Sequence, residues 1–235
     1  MATSKNWVTR LHEIHPLSTA YIKANTPEWY NARRGRLTAS TRAQLIYQKE
    51  GWPTMLREIE AELDPNWKHE PRESVAMNWG RDNEARALAM LELELCITID
   101  DPGLIINANW PFIAGTPDGM FRKPNGRLVS VQVKCPYNPQ RHLDNVYGGG
   151  SIKQQYFYQV QWEAMLLGAD DILFASFDPR QPLKTQLAII DVPVSVDIQN
   201  RFLQNALEFQ KAVDSGISPA VGRMRVDSGI PELFP

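Results

Sequence analysis

Gly115-Thr116-Pro117-Asp118-Gly119, followed after a short run by Val131-Gln132-Val133-Lys134-Cys135-Pro136, is the stretch whose reading decides the fold. Pro-Asp-Gly turns a chain, because proline presets one backbone angle and glycine tolerates a tight corner. The run into Lys134 alternates, so Gln132 and Lys134 share one face of a strand while Val131, Val133 and Cys135 share the other. Asp118 stands at the turn where the preceding strand ends, and hairpin pairing brings it beside Gln132. Mg2+ takes hard oxygen ligands in an octahedron at about 2.0–2.1 Å and keeps several waters. Asp118, Gln132 and the main-chain carbonyl of Val133 offer it three protein oxygens. Lys134 then stands next to the bound water as the cation that favours hydroxide and balances charge developing on phosphorus. A second ion about 3.5–4 Å away would stabilise the leaving oxygen, with Mn2+ as an expected substitute. Either half alone is an ordinary turn or an ordinary half-exposed edge. In this order and one hairpin apart, they point to a metal site.

Outward from that hairpin the chain reads as strands interleaved with helices. Thr26-Pro27-Glu28 is a cap-and-proline entry to a helix through Arg34, and Thr38-Ala39-Ser40 precedes a second helical pattern ending near Glu50. Residues 53–63 read as helix, 64–72 as a polar loop with two prolines, and 74–95 as a long amphipathic helix. Short strand-like runs at 96–99, 104–107, 111–114 and 128–134, separated by glycine-bearing turns, suggest an antiparallel meander. Gly148-Gly149-Gly150 leads into a helix over 151–167; 172–177 and 186–192 read as strands, 196–213 as a closing helix, and the stretch from Ser215 as a surface wrap. The prediction is an α/β (α+β) fold, a central mixed sheet flanked by helices. A single domain over 1–235 is expected, with a helical part to about 95, a sheet-bearing core to about 215 and a tail.

Bulk numbers narrow the partners. At 235 residues and 43% hydrophobic content the chain buries a substantial core. Twenty-five basic against 27 acidic residues give a net charge of −2, so a polyanion must be met by a local basic groove. Cys96 and Cys135 are the two cysteines, too few for a disulfide scaffold, and Met1-Ala2-Thr3-Ser4-Lys5 lacks the apolar core of a signal peptide. A reduced, cytoplasmic protein is expected. No apolar run reaches bilayer length and no GxxxxGK[ST] phosphate loop is present, which excludes a membrane span and an evident ATP motor. His12 and His15 stand at helical spacing without a third ligand nearby and read as structural.

Six blocks run in order along most of the chain: residues 29–40 (WYNARRGRLTAS), 79–84 (WGRDNE), Thr116-Pro117-Asp118-Gly119, Val133-Lys134-Cys135-Pro136, 156–161 (YFYQVQ) and 174–180 (FASFDPR). In them the chain resembles the phage lambda exonuclease type of alkaline exonuclease, within the PD-(D/E)XK nuclease superfamily and its restriction-endonuclease-like core. The resemblance implies an Mg2+-dependent enzyme that digests one strand of duplex DNA from a 5′-phosphorylated end, releasing mononucleotides and leaving a 3′ overhang. It also implies a homotrimeric ring, hand-over of the overhang to a single-strand annealing protein, and phage or prophage origin in a bacterial cell. Matched position by position, Asp118 is the shared metal ligand, Lys134 the catalytic lysine, Glu84 a helix-borne acid near the metals, and Tyr156 and Gln159 the active-site helix. Arg33, Ser40 and Thr116 match the pocket for the terminal phosphate, with Arg141 a fourth member at a spacing one residue different. Met77 matches an apolar wedge that separates the terminal base pair.

Gln132 departs from that pattern, standing where the family carries glutamate. A neutral carbonyl replaces a full charge with almost no change of shape, so metal affinity and hydroxide generation both fall. Loss of groups behind the metal ligands already costs roughly 10- to 100-fold, and loss of a ligand charge costs at least that. The expectation is an impaired site that holds its substrate, rather than a paralogue with a shifted acid, for which Glu84 is the one evident substitute. Two alternatives stand beside the exonuclease: a noncatalytic DNA-end-binding recombination protein, and an endonuclease or junction resolvase on the same fold.

Overall fold

The computed structural model describes residues 22–39, 41–68 and 74–215. The readings placed on His12, His15, Ser40 and the stretch beyond residue 215 lie outside the described residues. Helix α1 (Pro27–Arg33) opens as its sequence predicts: the Thr26 hydroxyl accepts the Trp29 N–H at 3.2 Å and proline occupies the first turn, where its missing N–H costs nothing. Helices α2 (Thr41–Gln48) and α3 (Trp52–Leu63) follow. The long helix α4 (Val75–Leu95) is capped by Ser74, whose hydroxyl accepts the Met77 N–H at 3.2 Å, and ends at Cys96 in the left-handed region.

Strands β1 (Ile105–Ile106) and β2 (Ala114–Gly115) form a separate two-stranded ladder. The main sheet runs β3 (Gly119–Arg122), β4 (Leu128–Lys134), β5 (Asp171–Phe177), β6 (Leu187–Val192) in spatial order. The antiparallel meander is therefore corrected. Residues 96–99 form no strand, β3 pairs antiparallel to β4, and β4 lies parallel to β5, which makes the sheet mixed. A parallel neighbour requires a crossover, and α5 (Pro139–Tyr147) and α6 (Gln154–Leu167) supply it. Helix α5 had no counterpart in the sequence reading, although Asn138 caps it by accepting the Gln140 N–H at 2.9 Å and proline follows in the first turn. The lysine-bearing strand is thus interior, not an edge.

Helices cover both faces of the sheet. On one face Ala87 and Leu91 of α4 pack with Val131, Val133, Ala175 and Phe177. On the other lie α6 and α7 (Val196–Ser215), with α2 and α3 behind them. Helix α6 is buried from Tyr158 through Leu167, so side chains on every side of it meet protein. Trp162, fully buried, donates from Nε1 to the Ala114 carbonyl at 2.9 Å and pins α6 to β2 beside Thr116. Gly119 permits the start of β3 to pass close to Ile99, since a Cβ there would lie 2.3 Å from the Ile99 Cγ2. Among the described residues no helix is long and apolar enough to cross a membrane.

Candidate active site

Register places the acid beside the strand. Gly119 pairs with Val131 in the antiparallel β3–β4 ladder, so Asp118, one step before it, reaches Gln132. The Asp118 Oδ2 accepts the Val133 N–H at 2.8 Å and a short hydrogen bond from the Gln132 amide nitrogen. That same nitrogen lies 3.5 Å from the Val133 carbonyl oxygen. Two of the three oxygens expected around a cation therefore converge on one point, and a polarised N–H group sits at it. The Gln132 oxygen is turned away and accepts from Gln159 Nε2 at 3.0 Å.

A cleft of about 1110 Å3 opens in front of this group. Glu84 from α4, Val133 and Lys134 from β4, and Tyr156 and Gln159 from α6 line it, with Met77 and Arg141 on its walls. Of the expected site residues these seven share one space, while Asp118 and Gln132 lie immediately behind Val133. The Lys134 ammonium stands 5.7 Å from the centroid of the Tyr156 ring. Met77 is 56% exposed and so not part of the core. Trp162 leaves the stripe it shares in sequence with Tyr156 and Gln159 and serves the core.

Arg33 and Thr116 do not line the open cleft; both meet at Trp29, which does. The Arg33 guanidinium lies 3.9 Å above the Trp29 ring, and the Trp29 Nε1 donates to the Thr116 hydroxyl at 3.0 Å. Arg33 also donates to the Thr38 hydroxyl at 3.2 Å. Neighbouring Arg42 is spent on Glu62 at 2.5 Å, whereas among the described residues no carboxylate forms an ion pair with Arg33. Burial, and then repulsion from Arg42, lower the Arg33 guanidinium to about 10. A cation so strained is receptive to an anion.

Electrostatics inside the cleft follow from crowding acids around one lysine. Desolvation, then the charge of Asp118, raises the Glu84 carboxyl to about 7, with Lys134 opposing. Asp118 is itself raised, chiefly by burial, while Lys134 and the Val133 N–H pull it down. Among the described residues no three His, Cys, Asp or Glu side chains converge as a ready-made metal cluster. What is present is two carboxylates and a main-chain carbonyl as oxygen donors, with the Gln132 amide turning its nitrogen to the same point. That set suits Mg2+, which binds through one or two carboxylates and retains its waters, better than a thiolate- or imidazole-seeking metal.

Two residues matter here that the sequence did not mark. Trp29 links the pair expected to hold a phosphate; it heads the block 29–40, but its reach to Thr116, 87 residues away, was not legible. Glu163 lies 1% exposed on α6, four residues after Gln159, and its Oε1 accepts from Gln159 Nε2 at 3.0 Å. The i, i+4 spacing was visible; its burial was not.

Comparison with known proteins identifies the family and the fold. A protein-family model, the YqaJ-like viral recombinase domain, matches residues 28–170, from α1 to the end of α6. No curated protein matches the chain by sequence. In fold it is similar to the alkaline exonuclease LHK-Exo from Laribacter hongkongensis, solved in complex with dAMP, at 20% identity and a TM-score of 0.71 over 87% of this chain and 98% of that one. It is similar also to a phage-related exonuclease from Haemophilus somnus 129PT, at 14% identity and a TM-score of 0.54 over 92% and 95% of the two chains. A SOX–DNA complex matches at 11% identity and a TM-score of 0.50 over 80% and 68%.

Proposed function

The chain belongs to the YqaJ-like viral recombinase domain family, and from that premise we propose that it is an Mg2+-dependent exonuclease acting on duplex DNA from 5′-phosphorylated ends. The observation that carries this reading is the convergence of Asp118, Gln132 and the Val133 carbonyl beside Lys134, against a cleft of about 1110 Å3. Asp118 and the Val133 carbonyl, with Glu84 lining the cleft beside them, would hold Mg2+, which would supply polarisation of a phosphate oxygen and a more acidic water. Lys134 stabilises the hydroxide and then the charge on phosphorus. Glu84, lining the same cleft, is the carboxylate placed to take up the proton that the water gives up. Arg33 and Thr116, joined through Trp29, receive the terminal phosphate, with Arg141 lining the same cleft. Met77, exposed and lining the cleft, wedges the terminal base pair.

The pocket also gives direction without ATP. Each cut exposes a new 5′-phosphate, and the pocket refills by advance of one nucleotide. The mononucleotide found in LHK-Exo is the product that such a step releases. A ring of three copies that threads the spared strand, and transfer of the 3′ overhang to a single-strand annealing protein, complete the proposal. A second reading has its own support: the Gln132 amide nitrogen occupies Asp118, which favours holding an end over cutting it.

Linear duplex with a labelled 5′-phosphate, set against closed circular DNA under saturating Mg2+ or Mn2+, tests the proposal. Label released as mononucleotide from the linear form alone is expected. Degradation of circles at a similar rate replaces it with an endonuclease, and tight end-binding without product at any divalent concentration replaces it with the holding function.

A further inference from the structure

Helix α6 carries three buried polar side chains, Gln159, Gln161 and Glu163. Gln161 has a complete structural role: it donates to the Pro193 carbonyl at 2.6 Å, accepts the Ser195 N–H at 2.9 Å and so ties α6 to the start of α7. Glu163 differs. Its Oε1 accepts from Gln159, but its Oε2 is buried without any hydrogen-bond partner. A core position asking only for volume and one acceptor is better served by glutamine or methionine, because an unpaired buried carboxylate oxygen is costly. The carboxyl is retained at a place that connects directly to the cleft. Asp118, Gln132, Gln159 and Glu163 form one continuous relay in which both amide groups lie between two carboxyls.

The polarity of that relay is fixed by its ends. Gln159 Nε2 donates to Glu163 and to Gln132 Oε1 together, and this leaves the Gln132 nitrogen, not its oxygen, to face Asp118. We propose that Glu163 is the displaced acid of the candidate site: when a divalent cation binds beside Asp118, the negative charge that β4 lacks at Gln132 is supplied from α6, at the other end of the hydrogen-bonded chain through Gln159 and Gln132. The inference rests on the exonuclease reading and deepens it, since it turns the glutamine from a simple lesion into half of an exchange between two positions. Glu163 shares the field of the same charges as the site: burial first, then Asp118, push it up to about 8, while Lys134, the Gln159 hydrogen bond and Arg33 pull it down. A divalent cation beside Asp118 favours its ionised form.

The test is calorimetric titration with Mn2+, without DNA, of the native chain, Glu163→Gln, Gln132→Glu and the double variant, each with a thermal melt. Glutamine at 163 keeps the volume and the acceptor for Gln159, so the melt is expected to hold or rise. Mn2+ affinity is expected to fall about tenfold or more in Glu163→Gln and to return at least to the native value in the double variant, as a charge moved from α6 to β4 demands. Should Glu163→Gln fold poorly, Glu163→Met gives the same comparison of an uncharged side chain. Unchanged Mn2+ affinity in Glu163→Gln, or losses in the double variant with no recovery, overturns the displaced acid while leaving the exonuclease reading intact. Absence of Mn2+ binding by both the native chain and Gln132→Glu overturns the metal-dependent reading and this inference with it.

Discussion

Replacing Gln132 with glutamate converts the closest hydrogen bond in the candidate site into a confrontation of two carboxylates. Today the Gln132 nitrogen donates to the Asp118 Oδ2, and Asp118 has the Val133 N–H as its other donor. Two unit charges about 3 Å apart at an effective dielectric of about 20 repel by about 5 kcal/mol. The protein escapes by protonating one carboxyl, which at pH 7 costs about 3 kcal/mol for a group of ordinary pKa near 4.5. The smaller figure governs, so without divalent ions Gln132→Glu should lose about 3 kcal/mol at pH 7, or roughly 6–12 °C in Tm for a chain of this size. The cost has a definite sign with pH. It is present above about 4.5 and disappears below it, where the proton is already bound. Mg2+ or Mn2+ should reverse it, because a cation between the carboxylates replaces repulsion by ligation. Digestion of 5′-phosphorylated duplex should rise over the native chain, by less than the roughly 10- to 100-fold of an uncompensated loss, because Glu163 already supplies part of the charge. Paired melts at pH 4.5 and 7, with and without Mn2+, and a release assay on labelled duplex read all three effects. Equal activity before and after the change, with a Tm indifferent to pH and to cation, refutes the placement of residue 132 in a metal site.

Three further outcomes follow from the geometry. Arg33→Ala should reduce the preference for a 5′-phosphate over a 5′-hydroxyl by about tenfold, the loss of one charge-assisted contact, with little change in duplex affinity at fixed salt; an equal fall on both ends places Arg33 outside the phosphate pocket. Because Glu163 is held at about 8 in the fold and returns to its ordinary value on unfolding, its contribution favours the native state at low pH and is lost as pH rises from about 4.5 to about 8. Glu163→Gln should therefore gain stability relative to the native chain on going from pH 5 to pH 8.5, by up to about 4 kcal/mol, in denaturant titrations at the two values; parallel curves would show that the carboxyl is not perturbed. Met77→Ala, at an exposed position, should leave stability within about 0.5 kcal/mol while slowing digestion of blunt duplex more than of a frayed end, whereas Trp162→Ala in the core should cost about 3–5 kcal/mol. A matching loss of stability at both positions contradicts the assignment of Met77 to the cleft.

Local signals carried much of the way. The Thr26 and Ser74 caps, the long periodic run of α4 and the alternation of β4 each follow from forces acting within a few residues, and the structure keeps all of them. The juxtaposition of Asp118 with Gln132 was also legible, because a hairpin is a short-range object whose register is set by its own turn. Sequence went wrong where pairing is long-range. Nothing within 128–134 says that its second neighbour is a parallel strand 40 residues away, and the intervening α5 is too short to announce itself by periodicity.

By itself, then, the sequence determined the types of element, the acid–amide–lysine hairpin and the absence of one unit of charge at position 132. Tertiary structure alone decided that α6 is enclosed on every side, that Trp29 spans from the first helix to Thr116, and that a carboxyl on α6 sits at the far end of a relay from Asp118. The reason is physical: a side chain's chemistry is written in its residue type, but whether water reaches it, and which charges share its field, depends on what the rest of the chain folds against it.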